Sequence, residues 1–102
     1  MPTYCVARIV IRYGKIAEFV DAMQRLVPIM EDNGWRLLAS YQTVIGNIHE
    51  AYDIWELPNA EAVGAGLAAA AVDPRFHELA PDLVAAIESE TLSIVAKTPF
   101  SP

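Results

Sequence analysis

The sequence predicts an α+β domain of the ferredoxin-like type: elements in the order βαββαβ, one antiparallel four-stranded sheet, and helices on one of its faces. Three observations carry this. Hydropathy alternates with a period of two at both ends of the chain and in its middle; it switches to spacings of three and four in between; and glycine, asparagine or proline stands at the changes of period. Two split β-α-β units of this kind combine into a single sheet.

The first strand is Thr3 to Arg12, TYCVARIVIR, β-branched and aromatic with no breaker. Cys5, Ala7, Ile9 and Ile11 form an apolar face that should pack on helices. Tyr4, Val6, Arg8, Val10 and Arg12 form a mixed one. After Gly14, residues Ile16, Phe19, Val20, Met23, Leu26, Val27 and Met30 fall on one stripe of a helix from Lys15 to Asp32. Pro28 removes the bond back to the Gln24 carbonyl, which predicts a kink, and Asn33-Gly34 supplies a left-handed stop. From Trp35 to Leu57 two strands fold back around Ile45-Gly46-Asn47. In the first, Trp35, Leu37, Ala39 and Tyr41 alternate with Arg36, Leu38, Ser40 and Gln42; in the second, His49, Ala51, Asp53, Trp55 and Leu57 alternate with Glu50, Tyr52, Ile54 and Glu56. Neither strand has a clean polar face, so both sides of the sheet should be covered.

Asn59 is an N-cap for a helix from Ala60 to Ala71, whose Gly64, Gly66 and run of alanines allow close backbone approach. Asp73-Pro74 restarts the chain as N-cap and first helical residue. This helix should end or be interrupted near Pro81, with a further turn or two over Asp82 to Ile87. A last strand runs from Glu90 to Lys97, with Leu92, Ile94 and Ala96 alternating against Thr91, Ser93 and Val95.

At 102 residues the chain is expected to form one domain over 1–102. Its hydrophobic fraction of 54% exceeds what a small monomer readily hides, which points to a homodimer whose second copy covers the open sheet face and completes a two-sheet barrel. Net charge is −6 and the seven Lys and Arg are scattered, so no nucleic-acid partner and no anionic membrane surface are expected. No apolar stretch approaches the ~20 residues of a membrane span. Met1-Pro2-Thr3 leads straight into the strand pattern without a basic region or cleavage site, which implies a cytoplasmic protein. Cys5, the only cysteine, excludes an internal disulfide and reads as a small core residue.

Asp53 is the residue with most chemistry to explain. A carboxylate between Tyr52 and Trp55 in mid-strand either pairs with a cation such as Arg8 or occupies a pocket, where its proton affinity rises and it can bind ligand or move protons. His49 shares its strand face but is roughly 13 Å away along the strand, too far for a dyad, and reads first as a turn residue. His77, between Arg75 and Glu78, reads as a solvated surface residue. Two histidines without a thiolate pair or a carboxylate at ligand spacing give no metal or haem site, and no cofactor is expected. Gly64-Ala65-Gly66 lies inside a helix and lacks a third glycine, so it is not a dinucleotide loop. Tyr4, Tyr41, Tyr52, Trp35 and Trp55 are either core aromatics or the walls of a groove for a flat apolar ligand, whose few polar contacts would come from Arg8, Tyr41, Asp53 and Glu90.

Several marks together resemble the NIPSNAP family of the dimeric α+β barrel superfamily. They are the strand ending in Gly14-Lys15, the late Pro28 with Asn33-Gly34-Trp35, the strand pair from Ile45-Gly46-Asn47 to Ile54-Trp55-Glu56-Leu57, then Asp73-Pro74-Arg75-Phe76, and a final strand before Pro99-Phe100-Ser101-Pro102. The resemblance implies relatives among cofactor-independent monooxygenases, cyclases and isomerases, and among haem-degrading enzymes, beside members without known activity. It also implies departures: Cys5 and Ala7 stand where a Glu and an Arg are usual, and Asp53 where a histidine is. The expectation is a dimeric barrel that binds a small apolar or aromatic metabolite of a biosynthetic or catabolic pathway. In an enzyme of this kind Asp53 would act as acid or base, Arg8 or Tyr41 would polarise an oxygen, and Tyr4, Trp35, Tyr52, Trp55, His49 and Glu90 would line the ligand. The alternative is a scaffolding protein whose pocket is filled by its own side chains, packed under the small-residue helix.

Overall fold

The computed structural model describes residues 1–102. Its four strands are β1 (Thr3–Ile11), β2 (Arg36–Gln42), β3 (Glu50–Leu57) and β4 (Ile87–Val95), in the antiparallel order β2-β3-β1-β4. The helices α1 (Ile16–Asp32), α2 (Glu61–Ala71) and α3 (Pro74–Ala86) lie on one face of the sheet. This is the ferredoxin-like arrangement, with the crossover region after β3 divided into two helices.

The central strand β1 explains the layering. Cys5, Ala7, Ile9 and Ile11 are all buried, while Tyr4, Val6 and Val10 are half-buried and Arg8 is exposed. Direct pairing carries each β1 residue's orientation to its neighbours. Cys5 stands opposite Trp55, Ala7 opposite Asp53 and Ile9 opposite Ala51 on β3; on β4 the same residues face Ile94, Leu92 and Glu90. These side chains therefore point toward the helices. The core is in two parts. One gathers Cys5, Trp35, Trp55 and Leu57 with Ala22, Ile29 and Met30 of α1, Ala70 and Leu79; the other gathers Ala7, Ile9, Ile11 and Ala51 with Phe19 and Ala86.

Turn chemistry sets the boundaries. Gly14, Gly34 and Gly46 each have positive φ, which ends β1, stops α1 and turns the β2–β3 hairpin. Asn59 Oδ1 accepts the Ala62 N–H at 3.0 Å, and Asp73 Oδ1 accepts the Arg75 N–H at 2.9 Å, as their positions predict. Arg75 then spans from Asp73 to Asp32, tying the start of α3 to the end of α1.

Three expectations are corrected. Helix α3 runs through Pro81 to Ala86 and β4 begins immediately at Ile87, three residues earlier than Glu90. The carbonyl that Pro81 leaves unbonded belongs to exposed His77, where water can serve it, while Leu79 and Ala86 hold the helix to the core. The close approach of α2 is to Trp35, in the segment before β2, rather than to a strand: a Cβ on Gly66 would overlap the Trp35 indole and lie 2.8 Å from the Asn33 carbonyl. Last, β2 is not evenly alternating. Its register shifts between Leu37 and Ala39, so that Leu37 faces Trp55 on the helix side but Ala39 pairs with Ile54 and Tyr41 with Tyr52 on the other. A bulge at Leu38 thus turns Ser40 toward the helices and Tyr41 away from them.

Candidate functional site

Between the sheet and the three helices lies a cavity of ≈ 380 Å³, within the range of small-molecule sites. Its floor is the helix face of the sheet: Ala7 from β1, Asp53 and Trp55 from β3, Glu90 and Leu92 from β4. Met23, Leu26 and Met30 of α1 and Leu67 of α2 line it, as do Phe76 and Leu83 of α3. Twelve of its fifteen lining residues are hydrophobic. The three others are Asp53, Glu90 and Arg12.

Asp53 is the one fully buried charged residue, 2% exposed. Its position follows from strand alternation, which puts it between the buried Ala51 and Trp55 on the inward side. The bulge in β2 supplies its only hydrogen-bond partner, Ser40 Oγ donating to Oδ1 at 2.5 Å. Burial pushes the Asp53 carboxyl above the ordinary carboxylate range, and the Ser40 hydroxyl, which favours the ionised form, opposes that rise. Glu90 has surface exposed at the sheet edge, yet its carboxyl lines the cavity. Burial raises it as well, and the neighbouring charge of Asp53 adds to the rise. Two carboxyl groups with raised proton affinity in an apolar chamber hold a proton more tightly than ordinary carboxylates and can serve as proton acceptors and donors. Beneath them the Cys5 thiol is pushed up to about 11, first by burial and then by the charges of Glu90 and Asp53, so it stays protonated and unreactive.

Trp35 and Trp55 meet edge-to-face with ring centroids 5.8 Å apart and form one end of the chamber. The Trp35 indole nitrogen is buried without a hydrogen-bond partner, covered by Gly66.

Of the residues singled out from the sequence, Asp53, Trp35, Trp55 and Glu90 come together here. Arg8, Tyr4, Tyr41 and Tyr52 do not. They stand on the opposite face, where Arg8 pairs with Glu50 at 2.7 Å, the Tyr4 hydroxyl donates to Glu56 and the Tyr52 hydroxyl to Glu50. The Asp53–Arg8 pair open in the sequence is therefore not made, because the two point to different sides of the sheet. Tyr41 is turned outward by the β2 bulge and is 63% exposed. His49 sits at the turn, stacked on Tyr13 at 5.0 Å and accepting the Gly14 N–H through Nε2. No group of three His, Cys, Asp or Glu side chains gathers in a metal-ligating cluster.

Sequence reasoning missed Ser40, Arg12 and the helical wall. Met23, Leu26 and Met30 read as an ordinary core stripe, and periodicity cannot tell a filled core from a hollow one. The bulge that aims Ser40 had one faint mark, three consecutive apolar residues at Leu37-Leu38-Ala39 in an otherwise alternating strand.

The fold and chamber define a ferredoxin-like α+β domain with an internal, mainly apolar pocket. The chain belongs to the NIPSNAP family, whose model matches residues 4–102. Among solved structures it is similar to a NIPSNAP family protein of unknown function from Agrobacterium tumefaciens, with 22% identity, a TM-score of 0.89 and coverage of 99% of this chain and 92% of that one. An uncharacterized NIPSNAP domain protein from Burkholderia xenovorans gives 20% identity and a TM-score of 0.86, covering 98% of both chains. SnoaB, a cofactor-independent oxygenase from Streptomyces nogalater, gives 16% identity and 0.73 over 99% of this chain and 97% of that one. No protein of curated function matches the sequence. No helix is long and apolar enough to cross a membrane.

Proposed function

We propose that this protein is a homodimeric barrel that binds a small apolar or aromatic metabolite in the chamber under the helices and transforms it by proton transfer at Asp53, without a cofactor. The observation that carries the reading is the burial of Asp53, 2% exposed, in the floor of a ≈ 380 Å³ cavity lined mostly by hydrophobic side chains. A purely structural aspartate has little reason to occupy such a place, since burying a carboxylate with one hydrogen bond is costly. A cavity of that size also speaks against the scaffolding alternative, in which the protein fills its own pocket.

Chemically, the ionised Asp53 takes a proton from an activated C–H or O–H of the bound molecule, giving a neutral carboxylic acid and a substrate anion. Its raised proton affinity makes it a stronger base than an ordinary aspartate, and Glu90, which lines the same cavity and feels the Asp53 charge, is a second proton-holding group there. Trp55 and Trp35 hold an aromatic body by stacking and edge contacts. Cyclisation, isomerisation and cofactor-free oxygenation can all begin from such an anion, and the likeness to SnoaB supports this class. The setting we assign is the cytoplasm, in a biosynthetic or catabolic pathway.

The dimer rests on the other sheet face, where Leu38 and Tyr41 are exposed beside half-buried Val6, Ile54 and Tyr52. A panel of aromatic metabolites scored by thermal shift and product analysis tests the whole reading. Asp53→Asn should keep the fold and the dimer while lowering turnover at least ~100-fold. Full turnover in that variant would remove Asp53 from the chemistry.

A further inference from the structure

Simple alternation puts Arg12 with the outward residues of the first strand, yet it lines the cavity. The reason is local. Strand β1 ends at Ile11, a register shift between Val10 and Ile11 turns the chain, and the Arg12 N–H bonds to the Ala86 carbonyl at 2.9 Å where α3 passes into β4. The side chain is then steered by its Nε, which donates to the Val84 carbonyl at 3.3 Å.

What it lacks is a carboxylate. The chain has 13 acidic residues and five arginines, and four of those arginines are ion-paired: Arg8 with Glu50, Arg25 with Asp21 and Asp82, Arg36 with Glu56, Arg75 with Asp73 and Asp32. Arg12 alone makes no ion pair, although Asp53 and Glu90 line the same cavity. An acid-rich chain that pairs every other arginine leaves free the one at its pocket. Its Nε is already bonded, so the terminal nitrogens are the donors left for another acceptor.

The positions form an ordered series along β1. Trp55 stands opposite Cys5, Asp53 opposite Ala7, Glu90 opposite Ile9, and Arg12 follows Ile11 just past the end of the strand. The chamber thus runs from an aromatic end, past two acids, to a cation.

We propose that the ligand is a small, largely apolar carboxylic acid, its carboxylate held by the guanidinium of Arg12 and its apolar body directed toward Trp55 and Trp35. One planar donor set suits a carboxylate; a phosphate dianion calls for several cations or helix N-termini, and the lining offers only Arg12. The inference rests on the pocket reading above and adds the ligand's charged group to it.

Calorimetric titration with naphthylpropionate and with the uncharged naphthylpropanol separates the two. Wild type should bind the acid at least ~10-fold tighter than the alcohol, as a charge-assisted hydrogen bond provides. Arg12→Gln should bring the acid's affinity down to that of the alcohol and so abolish the preference, and Arg12→Lys should restore part of it. Equal affinity for acid and alcohol in wild type, or a preference that survives Arg12→Gln, overturns the carboxylate assignment and leaves the pocket standing. If neither compound binds, the pocket reading falls and takes this inference with it.

Discussion

The two faces of the sheet are built from the same strands by simple alternation, yet they are different materials. The inward face carries Cys5, Ala7, Ile9, Asp53 and Trp55, all buried within the single chain. Outward, Tyr4, Val6, Ile54 and Tyr52 are half-buried, and the charged residues there are satisfied, Arg8 by Glu50 and Arg36 by Glu56. Each face therefore treats charge in its own way. Outside, opposite charges pair across neighbouring strands in partial contact with water. On the helix side the buried Asp53 has no counter-charge, and the exposed Glu90 and Arg12, which line the same cavity, make no ion pair either. A sheet that neutralises itself on one side and stays unneutralised on the other keeps its unpaired charges on the second.

The largest expected effect comes from removing the inner aromatic floor. Trp55→Ala should cost about 3–5 kcal/mol, measured by denaturant unfolding, because a large buried ring leaves a cavity. Removing the outward neighbour in Ile54→Ala should cost the protomer far less and appear instead as weakened self-association in sedimentation. If the two cost the same in the protomer, the distinction between the faces fails. Gly66→Ala is next. Helix propensity alone would favour alanine by about 1 kcal/mol. The overlap with the Trp35 indole and the Asn33 carbonyl opposes it at about 1–3 kcal/mol, so net destabilisation by about 1 kcal/mol is expected.

Asp53→Asn sharpens the comparison through pH. The folded-state proton affinity of Asp53 is raised, so its contribution to stability is fully present below the unfolded carboxylate range and is lost as pH rises through the folded value. Above that folded value the ionised form is a burden, and Asp53→Asn should raise the melting temperature there and flatten its fall with rising pH. An unchanged pH profile would mean that Asp53 is not strained by burial. The smallest effect belongs to the outer face. Arg8→Gln breaks a half-exposed pair with Glu50 and should shift stability by less than about 1 kcal/mol, less still at high salt.

Much of this division was legible before any coordinates. The apolar alternation of Cys5 to Ile11, the α1 stripe and the capping residues Asn59 and Asp73 named the elements, and Asp53 stood out as a carboxylate among aromatics. What alternation could not supply was the face of a residue beyond a bulge. One extra residue at Leu38 moves Ser40 inward and Tyr41 outward, and the shift at Val10–Ile11 brings Arg12 to the cavity. The expectation that Arg8 and Tyr41 act with Asp53 fails because a strand's period of two puts Arg8 opposite Tyr52, on the side away from Asp53, and the bulge turns Tyr41 the same way. Pro81 misled in another manner, because tertiary packing through Leu79 and Ala86 outweighs one missing backbone bond.

The edge-to-face pair of Trp35 and Trp55 has a practical side. These are the only two tryptophans in the chain, and both line the chamber. All of the protein's indole emission therefore originates at the place where a ligand would lie. A molecule entering between them changes their quenching and polarity directly, with no label and no background from elsewhere in the fold, so the protein carries its own optical readout of occupancy.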